Sequence, residues 1–501
     1  MDVATSCLVV FQVSVFILPM DKIDGQPLYE HPREYPLKAS EANSYYQQIY
    51  ERELFHEKEL ERLQKELEVT KDTCGTHDLR SIYQNPSPNG TKGSSGKGFV
   101  VLFMKNIVTT TKSVYVTSEK DVQLNITTSS RLDPSIKNKI ERNIVANLSH
   151  RVIFPSALEL NYFKKEVKSV LIETSEDVNV ISFDDGDRTA GSTANIPIHK
   201  LSTKYIVIST TPSQKSQLAV AAIKDNTTVS ITFKMKKNLI IKGEVFHNGG
   251  VFSFSLDRFE TYQIEHSVDL TGSVIESSLP IAAFSGNDCN QLHGLGFCDH
   301  LITQLPPTDN VDKTYIIPPS SNDRETIIRI TAIEKADIIY MIGSVNKTLT
   351  LNKLEFFETQ ISSNQICFIA SSNPVIVTGI GLPSKTSDLS DPSMTIIPGI
   401  NQYLNYFKVV VPSGFVNNFV TIMIKESSKD LIRINSTVIY PCNIVFEGNV
   451  LAGKIKYSVR SIRVVEGVLT AFSLDGVKFG MLFSGVQTAE AYSFSGNFLL
   501  P

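Results

Sequence analysis

Val229-Ser-Ile-Thr-Phe-Lys234 alternates apolar and polar side chains at every step. A strand turns successive side chains to opposite faces, so this run buries Val229, Ile231 and Phe233 and leaves Ser230, Thr232 and Lys234 wet. Immediately before it, Asp225-Asn226-Thr227 carries turn chemistry, and residues 217–223 are again apolar and β-rich. The segment predicts a half-buried antiparallel hairpin.

The same layout recurs. Tyr205-Ile-Val-Ile opens one copy, Tyr315-Ile-Ile-Pro-Pro-Ser a second and Phe407-Lys-Val-Val-Val-Pro-Ser a third, at spacings of 110 and 92 residues. Each is followed by a strand ending in a charged turn: Ala222-Ile-Lys-Asp, Ala332-Ile-Glu-Lys-Ala-Asp and Met423-Ile-Lys-Glu. Phe259-Glu-Thr-Tyr-Gln-Ile matches Phe357-Glu-Thr-Gln-Ile, and Ile275-Glu-Ser-Ser-Leu-Pro-Ile matches Ile369-Ala-Ser-Ser-Asn-Pro-Val. Val152-Ile-Phe-Pro-Ser reads as the start of a degenerate earlier copy. Repeats of this length with many short strands predict an all-β chain of tandem β-sandwich-like repeats at 204–300, 314–385 and 406–495, after a first β region at 98–200. The alternative is a β-propeller with two blades per repeat.

The N-terminal fifth differs. Residues 7–20 form an apolar run long enough for a signal peptide and too short for a good membrane span, so 1–20 read as a secretion signal. Residues 21–40, with Pro27, Pro32 and Pro36, read as an irregular leader. Residues 41–72 are rich in Glu, Lys and Arg and read as a charged helix, because such straight-chain residues lose little rotamer freedom there. Tyr46, Ile49, Leu60, Leu63 and Leu67 fit heptad positions, which allows a short coiled coil and a homo-oligomer. Residues 84–98, dense in Gly, Pro and Ser, read as a linker.

The 501 residues carry 48 Lys+Arg against 52 Asp+Glu, a net charge of −4, so no basic field argues for nucleic acid. No apolar stretch after residue 20 is long enough to span a membrane. Six cysteines, at 7, 74, 289, 298, 367 and 442, are too few for a disulfide scaffold. Sequons stand at Asn89, Asn125, Asn147, Asn226, Asn346 and Asn435, and the surroundings of Asn226 and Asn346 look like exposed turns. Asn125, Asn147, Asn226, Asn346 and Asn435 are the candidate glycosylation sites.

Little catalytic chemistry is written in the chain. Residues 90–98 fail the phosphate-loop spacing, and His56-Glu57 lacks the second His of a zinc helix. Phe183-Asp-Asp-Gly-Asp-Arg reads as a solvated turn rather than a calcium loop. Cys289, His293, Cys298 and His300 form a zinc-like set, but in an oxidising compartment Cys289 and Cys298 close a disulfide. Asp288, His293, Asp299 and His300 are then the candidate binding loop around it. Cys367 and Cys442 are read either as a second disulfide or as buried thiols. No cofactor or metal is called for, and the chain reads as non-enzymatic.

Asp269-Leu-Thr-Gly-Ser-Val-Ile-Glu-Ser-Ser-Leu-Pro-Ile-Ala-Ala-Phe-Ser-Gly-Asn-Asp-Cys289, then Cys298-Asp-His-Leu-Ile-Thr-Gln-Leu-Pro-Pro307 and Tyr315-Ile-Ile-Pro-Pro, resembles the family of IgGFc-binding N-terminal domains. Gly98-Phe-Val-Val-Leu-Phe-Met-Lys-Asn106 is similar to that family's opening strand. The resemblance implies an extracellular, non-catalytic protein associated with mucus and with immunoglobulin Fc. Six cysteines could not furnish even one von Willebrand D-type repeat, so a stand-alone member is expected. The expected function is a secreted binding or adhesion protein that recognises protein or glycan partners through β-domain loops. The alternative is a structural mucus or matrix component oligomerising through the helix at 41–72.

Overall fold

The computed structural model describes residues 93–292, 298–385 and 391–500. The expected signal, leader, charged helix and most of the linker lie outside these residues, as do Cys7, Cys74, Asn89 and His293. Within them the protein is all-β, with one helix of note, Pro134–Ile140, and no closed barrel or propeller among its sheets.

Two antiparallel sheets make each of modules II, III and IV. In module II, Asp299–Gln304, Ile281–Asn290, Ser216–Ala222 and Thr261–His266 lie side by side in that order. Facing them are Val251–Leu256, Thr227–Thr232, Val274–Ser277 and Lys204–Ile206. Val229, Ile231 and Ile275 of one sheet and Leu218, Val220 and Ile264 of the other form a single buried cluster, the core of a sandwich. Module III repeats the order with Ser393–Ile396, Val375–Gly381, Thr326–Ala332 and Phe356–Ile361 against Val345–Leu351, Ala336–Ile342, Cys367–Ser371 and Thr314–Ile317. Module IV repeats it with Glu490–Ser495, Gly480–Gln487, Asn417–Lys425 and Ile455–Val464 against Thr437–Val438, Ile432–Ile434, Gly467–Ser473 and Tyr406–Val411.

The alternation at 229–233 holds, but its neighbour is not a hairpin partner. Ser216–Ala222 and Thr227–Thr232 belong to opposite sheets, so residues 223–226 form an arch that crosses the core, with Asn226 at a positive φ of 56°. Thr227–Thr232 pairs instead with Val251–Leu256 and Val274–Ser277. Local pattern fixes which face is buried but not which strand supplies the hydrogen bonds.

Module I is the fourth copy, and it starts at Gly96 rather than at Val152. Its strand Val170–Gly186 is 17 residues long and ties the module into one seven-stranded sheet. The first half pairs with Gly96–Val101 and Val122–Thr127, the second with Thr111–Ser118 and Thr189–Ala194. In modules II and III the equivalent path is broken before Ile281 and Val375, where Pro280 and Pro374 remove a backbone donor. Residues 174–178 contain no proline, so here the strand runs through. Val152 sits in Ser149–Phe154, which matches Thr261–His266 in module II.

The residue that opens each later copy has a mechanical role. Tyr205 Oη accepts from Ser202 N (2.8 Å) and donates to Ile281 O (2.7 Å). Tyr315 Oη accepts from Asp312 N (2.9 Å) and donates to Val375 O (2.6 Å). Phe407 has no hydroxyl, and there Leu404 N bonds Phe479 O directly at 3.2 Å while the two phenyl rings pack at 4.8 Å.

The four modules close on one another. The last strand of each, Thr189–Ala194, Asp299–Gln304, Ser393–Ile396 and Glu490–Ser495, is a sheet edge, and each touches the last strands of its two neighbours in the cycle I–II–III–IV–I. Apolar clusters span the junctions: Leu102, Leu171, Ala219 and Phe284 between I and II, and Tyr115, Phe183, Phe415 and Tyr492 between I and IV. Ser94 N donates to Asn497, and Phe498 and Leu500 lie buried beside Leu102, so the two ends of the cycle meet.

Replacing Tyr315 by Phe strands the buried Asp312 N–H and Val375 C=O. Chemical denaturation of this variant is expected to show a loss of about 1–3 kcal/mol. An unchanged midpoint would contradict the latch.

Candidate functional site

Cys289 and Cys298 form a disulfide with a Cα–Cα distance of 5.1 Å. The strand leading into it is pinned by its own side chains. Asn287 Oδ1 accepts from Thr210 N (3.0 Å), and Asp288 Oδ1 accepts from Lys215 N (2.9 Å) and Cys289 N (2.8 Å). Asp288 Oδ2 accepts from Tyr162 Oη at 3.2 Å, and Asn290 Oδ1 accepts from Ser213 N at 3.0 Å. Gly286 is required here: a Cβ would lie 1.7 Å from Leu301 O, and its φ of +155° disfavours other residues. The loop at 209–215 is thus held rigidly against the disulfide.

The expected binding loop is not presented as the sequence suggested. Asp288, Asp299 and His300 are all buried, because each is engaged in internal bonds. Asp299 Oδ1 accepts from Ala190 N (2.5 Å), His300 N (2.9 Å) and Thr189 Oγ1 (3.1 Å), and Oδ2 accepts from Ala491 N (3.0 Å). One carboxyl group therefore joins modules I, II and IV. Burial, together with the charge of Asp391, pushes its pKa upward against those donors. Arg324 of module III, fully buried nearby, is lowered by burial to about 10 and stays charged.

His300 points inward. Gln263 Oε1 accepts from the backbone N–H of Lys105 (3.2 Å), which fixes that amide's orientation. Gln263 Nε2 then donates to Gln217 Oε1 (2.6 Å), and Gln217 Nε2 to His300 Nε2 (2.9 Å). The imidazole proton is left on Nδ1, which donates to Asp184 Oδ2 at 2.7 Å. Asp184 Oδ1 and Glu159 Oε2 each sit 2.8 Å from the buried Lys112 ammonium. Burial alone would raise the Asp184 carboxyl, but the Lys112 charge and the His300 hydrogen bond hold it below the usual carboxylate range. The pair resembles an acid–histidine dyad, yet an amide rather than a nucleophile occupies the far nitrogen. The Asp-Asp-Gly-Asp turn accordingly commits Asp184 to Lys112 and leaves Asp185 near Arg151.

Cys367 is a free, buried thiol whose pKa burial pushes up to about 12, and Cys442 is disulfide-bonded but not to Cys367. The expected Cys367–Cys442 pairing is thereby corrected: one residue faces a dry core, the other an exposed turn at Pro441–Asn443. Asn147, Asn226, Asn346 and Asn435 are exposed and Asn125 is half-buried; Asn346 lies on a strand, not in a turn.

Sequence reasoning missed a cleft beside the disulfide at the junction of modules II and III. It measures about 330 Å³ and has Pro212, Leu292, Ile327 and Ile380 as its apolar lining and Thr211, Ser213 and Glu358 among its polar groups. Glu358 is anchored by Arg329, whose Nε and Nη2 approach Oε1 at 3.0 and 2.8 Å. Arg329, itself fully buried, also donates to Ser209 O and Asp269 Oδ2 of module II. The Phe-Glu-Thr match hid this pair: Glu358 lies across from Arg329 as Gln263 lies across from Ala219, three positions out of the sequence register.

Residues 191–477 match the family model described as IgGFc binding protein. The chain belongs to this family. The match runs from the closing strand of module I through most of module IV. The human IgGFc-binding protein is 25% identical over 240 residues, which is 47% of this chain and 4% of that protein. The chain thus aligns with only a small part of its much longer family relative. Among solved structures, a mutant of the major pilin from Streptococcus pyogenes aligns over 80% of this chain and 99% of its own at 8% identity and a TM-score of 0.14. An ice-binding adhesin of an Antarctic bacterium aligns over 82% and 100% at 8% identity and a TM-score of 0.10. Scores this low carry no argument, so it is the sequence family that places the chain.

Glu490 at the I–IV junction gives a test of ring closure. It accepts from Arg188 N at 2.8 Å, and burial with Asp185 and Asp187 nearby raises its pKa from 4.5 to about 7. A raised folded-state pKa means the stabilisation is complete below pH 4.5 and is lost as pH rises to about 7. Glu490→Gln should remove that decline, on the order of 2 kcal/mol, in denaturation curves taken across this range. A wild-type-like pH slope in the variant would contradict the placement.

Proposed function

We propose that this chain is a secreted, non-catalytic binding protein that engages an extracellular protein or glycan through loops of its β modules. The family match over residues 191–477 carries the reading. A family named for Fc binding makes immunoglobulin Fc the first partner to try. The disulfide at Cys289 and Cys298 suits an oxidising compartment, and no helix among the described residues is long and apolar enough to cross a membrane. The exposed Asn147, Asn226, Asn346 and Asn435 are proposed to carry N-linked glycans, with Asn125 a less accessible fifth.

In this reading the rigid modules position loops, and recognition falls to the surface around the disulfide. Asp288, Asp299 and His300 support that surface from beneath rather than touching the partner. The charged network at His300 is structural, which fits a protein without catalytic activity.

Expression from a eukaryotic culture should yield the protein in the medium, with a mass reduced by peptide-N-glycosidase. Immobilised Fc and mucin glycoprotein should be compared as baits. Capture by one of them, weakened about tenfold or more by replacing Cys289 and Cys298 with Ser, is the expected result. Capture by neither, or capture indifferent to the disulfide, would count against the proposal.

A further inference from the structure

We propose that the cleft between modules II and III binds a neutral N-acetylated sugar residue. The inference rests on the reading of this chain as a binding protein and names the ligand class for one site. Its volume of about 330 Å³ lies at the small end of ligand pockets, so it suits one sugar unit rather than an extended chain.

The chemistry of the walls decides the class. Leu292, Ile327 and Ile380 form an apolar patch at the bottom, a place for a methyl group and not for a hydroxyl. Above it, the Thr211 hydroxyl and Glu358 Oε2 make no bond among the described residues, while Glu358 Oε1 is tied to Arg329. A carboxylate oriented in this way accepts from sugar hydroxyls, and the threonine hydroxyl both donates and accepts. An acetamido group supplies the methyl for the apolar patch and an amide for the polar rim.

Charge narrows the choice further. The Glu358 carboxylate repels anionic sugars such as sialylated or sulfated ones. Arg329, buried behind it at 2.8 Å and shared with Asp269, ties up Oε1 and leaves one carboxylate oxygen to accept from a hydroxyl. A neutral, hydroxyl-bearing ligand with one methyl group is what remains. The site is also preformed: Asn290 holds the loop at 210–213 through Ser213 N, and Arg329 joins the two modules that supply the walls.

Saturation-transfer NMR on the full secreted chain tests this with N-acetylglucosamine, N-acetylgalactosamine, glucose, sialic acid and a lysine-containing peptide as probes. The acetamido methyl of an N-acetylhexosamine should give the strongest transfer. Thr211→Arg, on an exposed position, should abolish it by filling the mouth while leaving the melting temperature unchanged. Glu358→Gln should weaken binding about tenfold. No transfer to either amido sugar, stronger transfer to the peptide or to sialic acid, or undiminished transfer in Thr211→Arg would overturn the assignment. Fc and mucin capture, measured on the same Thr211→Arg sample, reports separately on the family reading.

Discussion

Four edge strands facing one another present a problem that hydrogen-bond ladders cannot solve. An edge strand carries unpaired N–H and C=O groups, and burying them without partners is costly. Here the four closing strands meet, yet no ladder among the described residues joins one module's closing strand to the next. Side chains do the joining. Asp299 takes the N–H groups of Ala190 and Ala491 from the modules on either side. Gln304 Oε1 takes Ile196 N at 2.8 Å, and Gln304 N donates to Thr193 Oγ1 at 2.8 Å. A carboxyl group suits the centre because it accepts from several donors at once, and the charges of Asp391 and Asp299 act to raise the pKa of the buried Arg324 nearby, against its burial.

The other fully buried cations repeat this solution at single junctions. Lys112 of module I is tied through Asp184 to His300 of module II, and Arg329 of module III reaches Ser209 and Asp269 of module II. Burying a charge costs stability unless every partner is in place, so such groups favour one relative placement of the modules over others. In the proposed binding role this has a direct use: surfaces contributed by two modules keep a fixed geometry, and the cleft beside Glu358 would be one such surface.

The β character, the repeat spacing and the disulfide were legible in the sequence, because alternation, strand-opening Tyr205, Tyr315 and Phe407, and cysteine spacing are local signals. Module I stayed hidden since Val170–Gly186 runs on as one strand where the other modules break into two. The arch at 223–226 reads locally as a hairpin, for a turn signal does not say whether the chain returns to its own sheet or crosses to the other. Asp299 and His300 look like loop residues beside a cysteine. Their partners at Ala190, Ala491 and Asp184 lie more than a hundred residues away, beyond the reach of any local pattern. The cleft was invisible for the same reason, as Thr211, Leu292 and Glu358 come together only when modules II and III dock.

Amide hydrogen exchange on Asp299→Asn tests the central claim, that one buried carboxyl group couples the closing strands of modules I, II and IV. Asparagine keeps one acceptor and turns the other into a donor. The account predicts that protection is lost at Ala190 or at Ala491, with the neighbouring closing strands exchanging faster and unfolding no longer in a single transition. Full protection at both amides, together with an unaltered single transition, would contradict it.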